Sequence, residues 1–183
     1  MAVLQPLVAP VSRITHNWIA AERLKHLPKS RPLTCAECSG LASHFSSPCL
    51  SSARVACVDE IPTPTFVRRI IDRFDFLQKR VQFDFSSASG ITLGECILVA
   101  DPEPSVELLF HELVHVEQYR ILGMKGFIRA YVQGVVDSNF VYEKIPLEAA
   151  AFELTARFSD GEAFAVREEL LRTLRSRPSS ASL

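Results

Sequence analysis

An α+β domain is predicted, with helices packed on a small antiparallel sheet. Three observations predict it. Phe66, Val67, Ile70, Ile71, Phe74 and Leu77 repeat at helical spacing, with Arg68, Arg69, Asp72 and Arg73 between them. Val81, Phe83 and Phe85 then alternate with Gln82 and Asp84, and a mostly apolar run follows from Ile91 to Ala100. Beyond Asp101 four further stretches return to helical spacing. The order is helix, two strands, then four helices.

Taken along the chain, residues 1–57 differ from the rest. They carry Pro6, Pro10, Pro28, Pro32 and Pro48 and many serines, and they read as a weakly ordered leader. One helical pattern, Thr15 to Leu27, would present Trp18, Ala21 and Leu24 on one face. Leu4, Leu7, Val8 and Val11 would let the leader serve as an anchor or partner-binding arm. From residue 58 to 176 the periodic signals sharpen into one domain, and 177–183 is a polar tail. Ile61-Pro-Thr-Pro-Thr opens the first helix of that domain, and Ser86 to Gly90 is a turn. Gly94 marks a bulge in the strand 91–100. Asp101 and Pro102 then suit a helix start, as cap and first helical residue. That helix runs to Leu122 and stops at Gly123. The others cover Gly126 to Val136, a stretch from Pro146 to Phe158, and one following Asp160.

Composition narrows the function. A chain of 183 residues with 48% apolar and 22% charged residues can bury one core, which excludes a disordered chain. The net charge of -1 leaves no basic excess to hold a phosphate backbone, so nucleic acid is not an expected partner. No apolar run reaches the roughly 18 residues of a membrane span. The apolar start MAVLQPLVAPVSR lacks a basic head and is broken by two prolines, so it does not read as a signal peptide. Five cysteines, at 35, 38, 49, 57 and 96, are an odd set in a chain that needs no staples. A reducing, cytoplasmic compartment follows as the expectation. Cys35 and Cys38 form a C-x-x-C, but Cys49 and Cys57 are spaced too widely for a zinc knuckle. Free thiols are the simpler reading.

The chemistry lies in Leu109-Phe-His-Glu-Leu-Val-His-Val-Glu-Gln118. On a helix, residues four apart share a face about 6 Å apart along the axis. His111 and His115 can therefore ligate one tetrahedral zinc ion. Glu112, about 100° round from His111, can reach a water on that metal and act as general base. The alternative is two surface histidines on an ordinary amphipathic helix. His16, His26 and His44 are scattered through the leader and are expected at the surface. A catalytic zinc needs a third protein ligand and a place for water. No histidine follows His115, so the third ligand would be acidic: Asp137, Glu143, Glu148 or Glu153. Glu148 is preferred. It sits just inside a helix behind Pro146, and Ala149, Ala150 and Ala151 would allow close approach to the histidine helix. The competing role for Glu148 is a first-turn glutamate complementing the helix dipole.

Residues from about 58 to 158 resemble an uncharacterised zincin-like metallopeptidase domain, also known as the core domain of contractile-injection-system effectors. The resemblance rests on Ile61-Pro followed by the Ile70 helix, on Ile91-Thr-Leu-Gly-Glu-Cys-Ile-Leu-Val, on the histidine motif, and on Tyr142-Glu-Lys-Ile-Pro-Leu-Glu-Ala-Ala-Ala151. It implies a glutamate-type zincin with His111, His115 and Glu148 as zinc ligands and Glu112 as base. Two positions depart from the pattern. Ala150 stands where relatives often have a second glutamate. Phe152 stands where many glutamate zincins carry an aspartate that braces a histidine.

The expected function is zinc-dependent hydrolysis of a peptide bond in a peptide or protein substrate. A substrate strand would add to the sheet edge near Ile97 to Val99. Tyr131 and Tyr142 are candidate donors to the oxyanion. The alternative is a zinc-bearing module that works by binding alone.

Overall fold

The chain is described here by a computed structural model covering residues 2–66 and 88–176. The sequence-predicted helix at 66–77, apart from Phe66, the strand at 81–85 and the start of the turn at 86–90 lie outside the described residues. After a 3-10 segment, Ala2–Leu7, come α1 (Val8–His26), β1 (Arg31–Pro32), α2 (Cys35–Leu41), α3 (Ser47–Ser52) and β2 (Arg54–Cys57). Then follow β3 (Gly90–Leu93), β4 (Cys96–Val99), α4 (Val106–Asp137), a 3-10 turn (Tyr142–Lys144), α5 (Pro146–Ser159) and α6 (Val166–Ser176). The class is α+β, as expected. Among the described residues there are six α-helices and one four-stranded sheet.

The sheet is mixed rather than antiparallel, in the order β1-β2-β4-β3. β2 runs parallel to β4, with Val55 opposite Ile97, while β3 and β4 form an antiparallel hairpin. The stretch 91–100 is therefore two strands joined by a two-residue turn, not one bulged strand. Gly94, at φ +77°, takes the first turn position that such hairpins reserve for glycine. β4 is buried on both faces. Val55, Ile97 and Val99 look into one apolar cluster, and Ala56, Cys96 and Leu98 into another. Helices cover both sides, as a sheet with a buried parallel pair requires.

Residues 31–57 are not a weakly ordered leader. They supply β1 and β2, and Leu41, Cys49 and Ala53 are fully buried in the core shared with α4. The prolines that suggested disorder occupy positions where an ordered fold tolerates them. Pro48 begins α3, and Pro32 lies in the outer strand β1. Thr34 caps α2 in a reciprocal box with Glu37, each side chain meeting the other residue's backbone N–H. The first helix begins earlier than Thr15. Its buried residues are Val8 and Ile19, while Leu24 is exposed. His44 is not a surface histidine either. Its ring lies edge-on to Phe110 and Phe158, with Nδ1 3.1 Å from the Phe164 carbonyl.

Helix α4 positions the site. Its cap is Ser105, whose hydroxyl accepts from the Leu108 N–H at 3.1 Å; Asp101 instead accepts from Glu103 N–H in the preceding turn. At Gly123 (φ 68°, ψ 163°) the helix leaves helical geometry and resumes in a new direction. That backbone region is open essentially to glycine alone. The predicted stop at Gly123 is thus a kink joining two helical limbs. The second limb returns over the first: Phe127 stacks on Tyr119 at 3.6 Å and stands edge-on to His115. No helix among the described residues is long and apolar enough to cross a membrane.

Candidate metal centre

The first limb of α4 presents His111 and His115 one turn apart, and the first turn of α5 brings Glu148 against them. His115 Nε2 lies 3.2 Å from His111 Nε2 and 3.2 Å from Glu148 Oε2, and His111 Nε2 lies 3.5 Å from the same oxygen. Two ligands held about 2.05 Å from one ion at the tetrahedral angle are about 3.3 Å apart. The edges of the triangle are close to that spacing, so the three side chains could hold a metal ion. Glu148 is 3% exposed, and its buried Oε2 faces the ring nitrogens of both His111 and His115. Its other oxygen accepts a hydrogen bond from the Tyr131 hydroxyl at 2.8 Å. One oxygen is thus held by Tyr131 and the other is turned toward the two histidines. Among the described residues, these three side chains are the one group of His, Cys, Asp and Glu within ligand reach of each other.

The alternative acids are elsewhere. Asp137 is exposed at the end of α4, where it accepts from Gln133 at 2.9 Å. Glu143 and Glu153 are exposed as well. Glu153 follows Glu148 by five residues, about 140° round α5, so the two face different ways.

Charges in the cluster compensate one another. Burial opposes charge on His115, but Glu148, Glu112 and Gln118 together outweigh it and raise the imidazole to about 9. Burial likewise acts against the Glu148 carboxylate, yet His115 and His111 hold its pKa well below the usual carboxylate range. Burial, and then Glu148, push the Tyr131 and Tyr142 phenols upward, so both stay protonated donors. Tyr131 is accordingly engaged with Glu148 rather than standing free to meet an oxyanion.

Glu112 points from α4 toward the hairpin. The Thr92 hydroxyl on β3 donates to its carboxylate at 2.6 Å. A Cβ at Gly90 would come within 2.9 Å of its other oxygen, so a larger residue there would displace the Glu112 carboxylate. Burial raises the Glu112 carboxyl pKa, against the pull of His115, His111 and the Thr92 hydroxyl. Glu112 is buried within electrostatic reach of His111, His115 and Glu148, with β3 as the neighbouring strand. The strand expected to offer an edge, β4, is interior: β2 and β3 flank it.

Two polar residues escaped the sequence reading. Gln118 is 2% exposed, its Oε1 2.9 Å from His115 Nδ1, and its Nε2 donates to the Leu147 carbonyl at 2.9 Å. Thr92 is the partner of Glu112. The signal for Gln118 was its spacing, three residues after His115 and hence on the same helix face. Thr92 had no comparable signal, because its contact is across elements. Phe152, in the place of a bracing aspartate, lays its ring against His111 at 4.9 Å between centroids. Glu117 faces away from the site and pairs with Arg167 of α6 and with Arg120. No family model, curated protein or solved structure matches this chain.

Proposed function

We propose that this chain is a zincin-like, zinc-dependent peptide hydrolase. His111, His115 and Glu148 would hold the ion, and Glu112 would serve as general base. The observation that carries this reading is the ligand triangle, with edges of 3.2, 3.2 and 3.5 Å and a buried Glu148 oxygen turned toward both histidines. The resemblance of residues 58–158 to a glutamate-type zincin agrees with it. Zinc, when bound, supplies a Lewis acid that polarises a carbonyl and acidifies a bound water. Glu112 would be the residue to accept a proton from the attacking water and return it to the leaving amine. Thr92 orients that carboxylate, and Tyr131 holds Glu148 so that one oxygen faces the histidines. A peptide substrate and no nucleic-acid partner fit the nearly neutral charge of the chain.

A second reading, a zinc-bearing module without hydrolysis, is favoured by one observation. Glu112 is only 4% exposed and is already engaged by Thr92. Glu112→Gln separates the two readings, because an amide keeps the shape but takes no proton near neutral pH. Under the enzyme reading, the variant binds zinc as the wild type does and loses hydrolysis of any peptide-library substrate that the wild type cleaves. Undiminished turnover by Glu112→Gln would reject Glu112 as the base. A wild type that binds zinc and cleaves nothing in the library would favour the module.

A further inference from the structure

We propose that Gln118 is a positioning residue of this centre: its amide selects which nitrogen of His115 faces Glu148, and it ties His115 to the first turn of α5. The inference rests on the metal-binding reading above. A glutamine amide has one accepting end and one donating end. The Leu147 carbonyl can only accept, so the nitrogen end must face it, at 2.9 Å. The oxygen end then faces His115 Nδ1, also at 2.9 Å, and that nitrogen must carry a proton. An imidazole that ligates zinc is neutral and keeps one N–H, so with the proton on Nδ1 it is Nε2 whose lone pair serves the ion beside His111 and Glu148. Turning the amide round would set oxygen against oxygen at Leu147.

Burial makes the arrangement binding, since Gln118 and His115 are 2% and 6% exposed and water is poorly placed to substitute. The coupling reaches across elements. Leu147 precedes Glu148, so one side chain links the segment carrying two candidate ligands to the segment carrying the third. A partner on the second ring nitrogen is a common requirement of histidine ligands. Here that brace comes from the histidine helix itself and is a neutral amide. The α5 position that often supplies an aspartate is filled by Phe152, whose ring touches the other histidine.

The test uses the full chain as wild type, Gln118→Leu and Gln118→Glu. Zinc affinity is measured by chelator competition, and imidazole nitrogen–proton spectra are recorded on the zinc-loaded proteins. In the wild type, the His115 proton is expected on Nδ1; a proton on Nε2 overturns the proposal without any variant. Gln118→Leu should lower zinc affinity by about 10–100-fold and disturb the Nδ1–H signal. Gln118→Glu keeps an acceptor opposite Nδ1, so it should retain that signal and recover most of the affinity. It should still melt lower than the wild type, because the Leu147 carbonyl loses its donor. A purely structural role would lower the melting temperature of both variants and leave the His115 signal and the affinity unchanged, which overturns the proposal. So would a folded Gln118→Glu that binds as weakly as Gln118→Leu. A wild type with no zinc affinity rejects the metal-binding reading and this role with it, whereas equal binding by wild type and Gln118→Leu rejects this role alone.

Discussion

Helix α4 has two unlike neighbourhoods little more than one turn apart. Around Phe110 the packing is aromatic: Phe158 stacks on it at 4.3 Å, Phe45 and His44 meet it edge-on, and Phe164 closes the group. Around His115 the packing is polar: Gln118 bridges His115 and the Leu147 carbonyl, and Tyr131 donates to Glu148, in hydrogen bonds of 2.8–2.9 Å. Both neighbourhoods are buried, but burial acts differently in each. Apolar burial is non-directional and follows area and volume. A buried polar group is stable only when each donor meets an acceptor. The first should therefore govern folding, and the second metal affinity, even though they share one helix.

Deleting residues 1–57 is the most severe way to break that division. It removes Phe45 and His44 from the aromatic side and also takes away β2, the parallel neighbour of β4. The remaining fragment should show no cooperative thermal transition and, with no folded frame, should not bind zinc. A sharp transition in this fragment would show that the N-terminal strands and helices are dispensable.

Phe110→Ala asks the same question at one residue. Phe110 is fully buried, and such truncations cost about 3–5 kcal/mol. Denaturant unfolding should show that loss, while the protein that remains folded should bind zinc with close to normal affinity. Weakened binding in the folded fraction would mean the two neighbourhoods are coupled.

Glu148→Ala is the converse. Zinc affinity should fall by roughly 100-fold or more, with a far smaller effect on folding than Phe110→Ala. Glu143→Ala and Glu153→Ala, both at exposed positions, should leave affinity unchanged. Isothermal titration of the three variants gives the ranking directly; an equal loss at Glu143 or Glu153 would transfer the ligand role.

The smallest effect lies outside both neighbourhoods and serves as a control. A side-chain hydrogen bond from Arg31 is the main reason the Glu37 carboxyl falls from near 4.5 to about 2. A depressed folded value means that the ionised pair stabilises the fold above about pH 4.5 and that this contribution fades as pH falls toward 2. The pair is half-buried at the surface and screened by solvent, so its contribution should be about 1 kcal/mol or less. Glu37→Gln should melt slightly below the wild type at pH 6, and the gap should shrink at pH 3. A gap that widens in acid would contradict the sign.

Much of the candidate site was legible because its parts obey local rules. Helical spacing puts His111 and His115 on one face, and Pro146 marks where the Glu148 helix begins. The α+β class was legible from periodicity for the same reason. The N-terminal third was not, because Pro32 and Pro48 look alike whether they break a fold or sit at its edges and helix starts. The apolar run Cys96-Ile-Leu-Val99 was read as an accessible edge, yet unbroken apolarity is the mark of a strand buried on both faces. The pairing of Tyr131, a candidate oxyanion donor, with Glu148 had no local signal, because the two residues are 17 apart and lie on different helices.

That kink makes α4 a lever. Its fulcrum is Gly123, and the HELVH limb on one side is held by the sheet and by α5. Tyr131 sits eight residues out on the other arm, about 12 Å along it at 1.5 Å per residue. A rotation of about 10° at the fulcrum swings Tyr131 by about 2 Å, more than its hydrogen bond to Glu148 can follow. The histidines would not move. The backbone torsions of a single glycine thus have mechanical advantage over the carboxylate that completes the triangle.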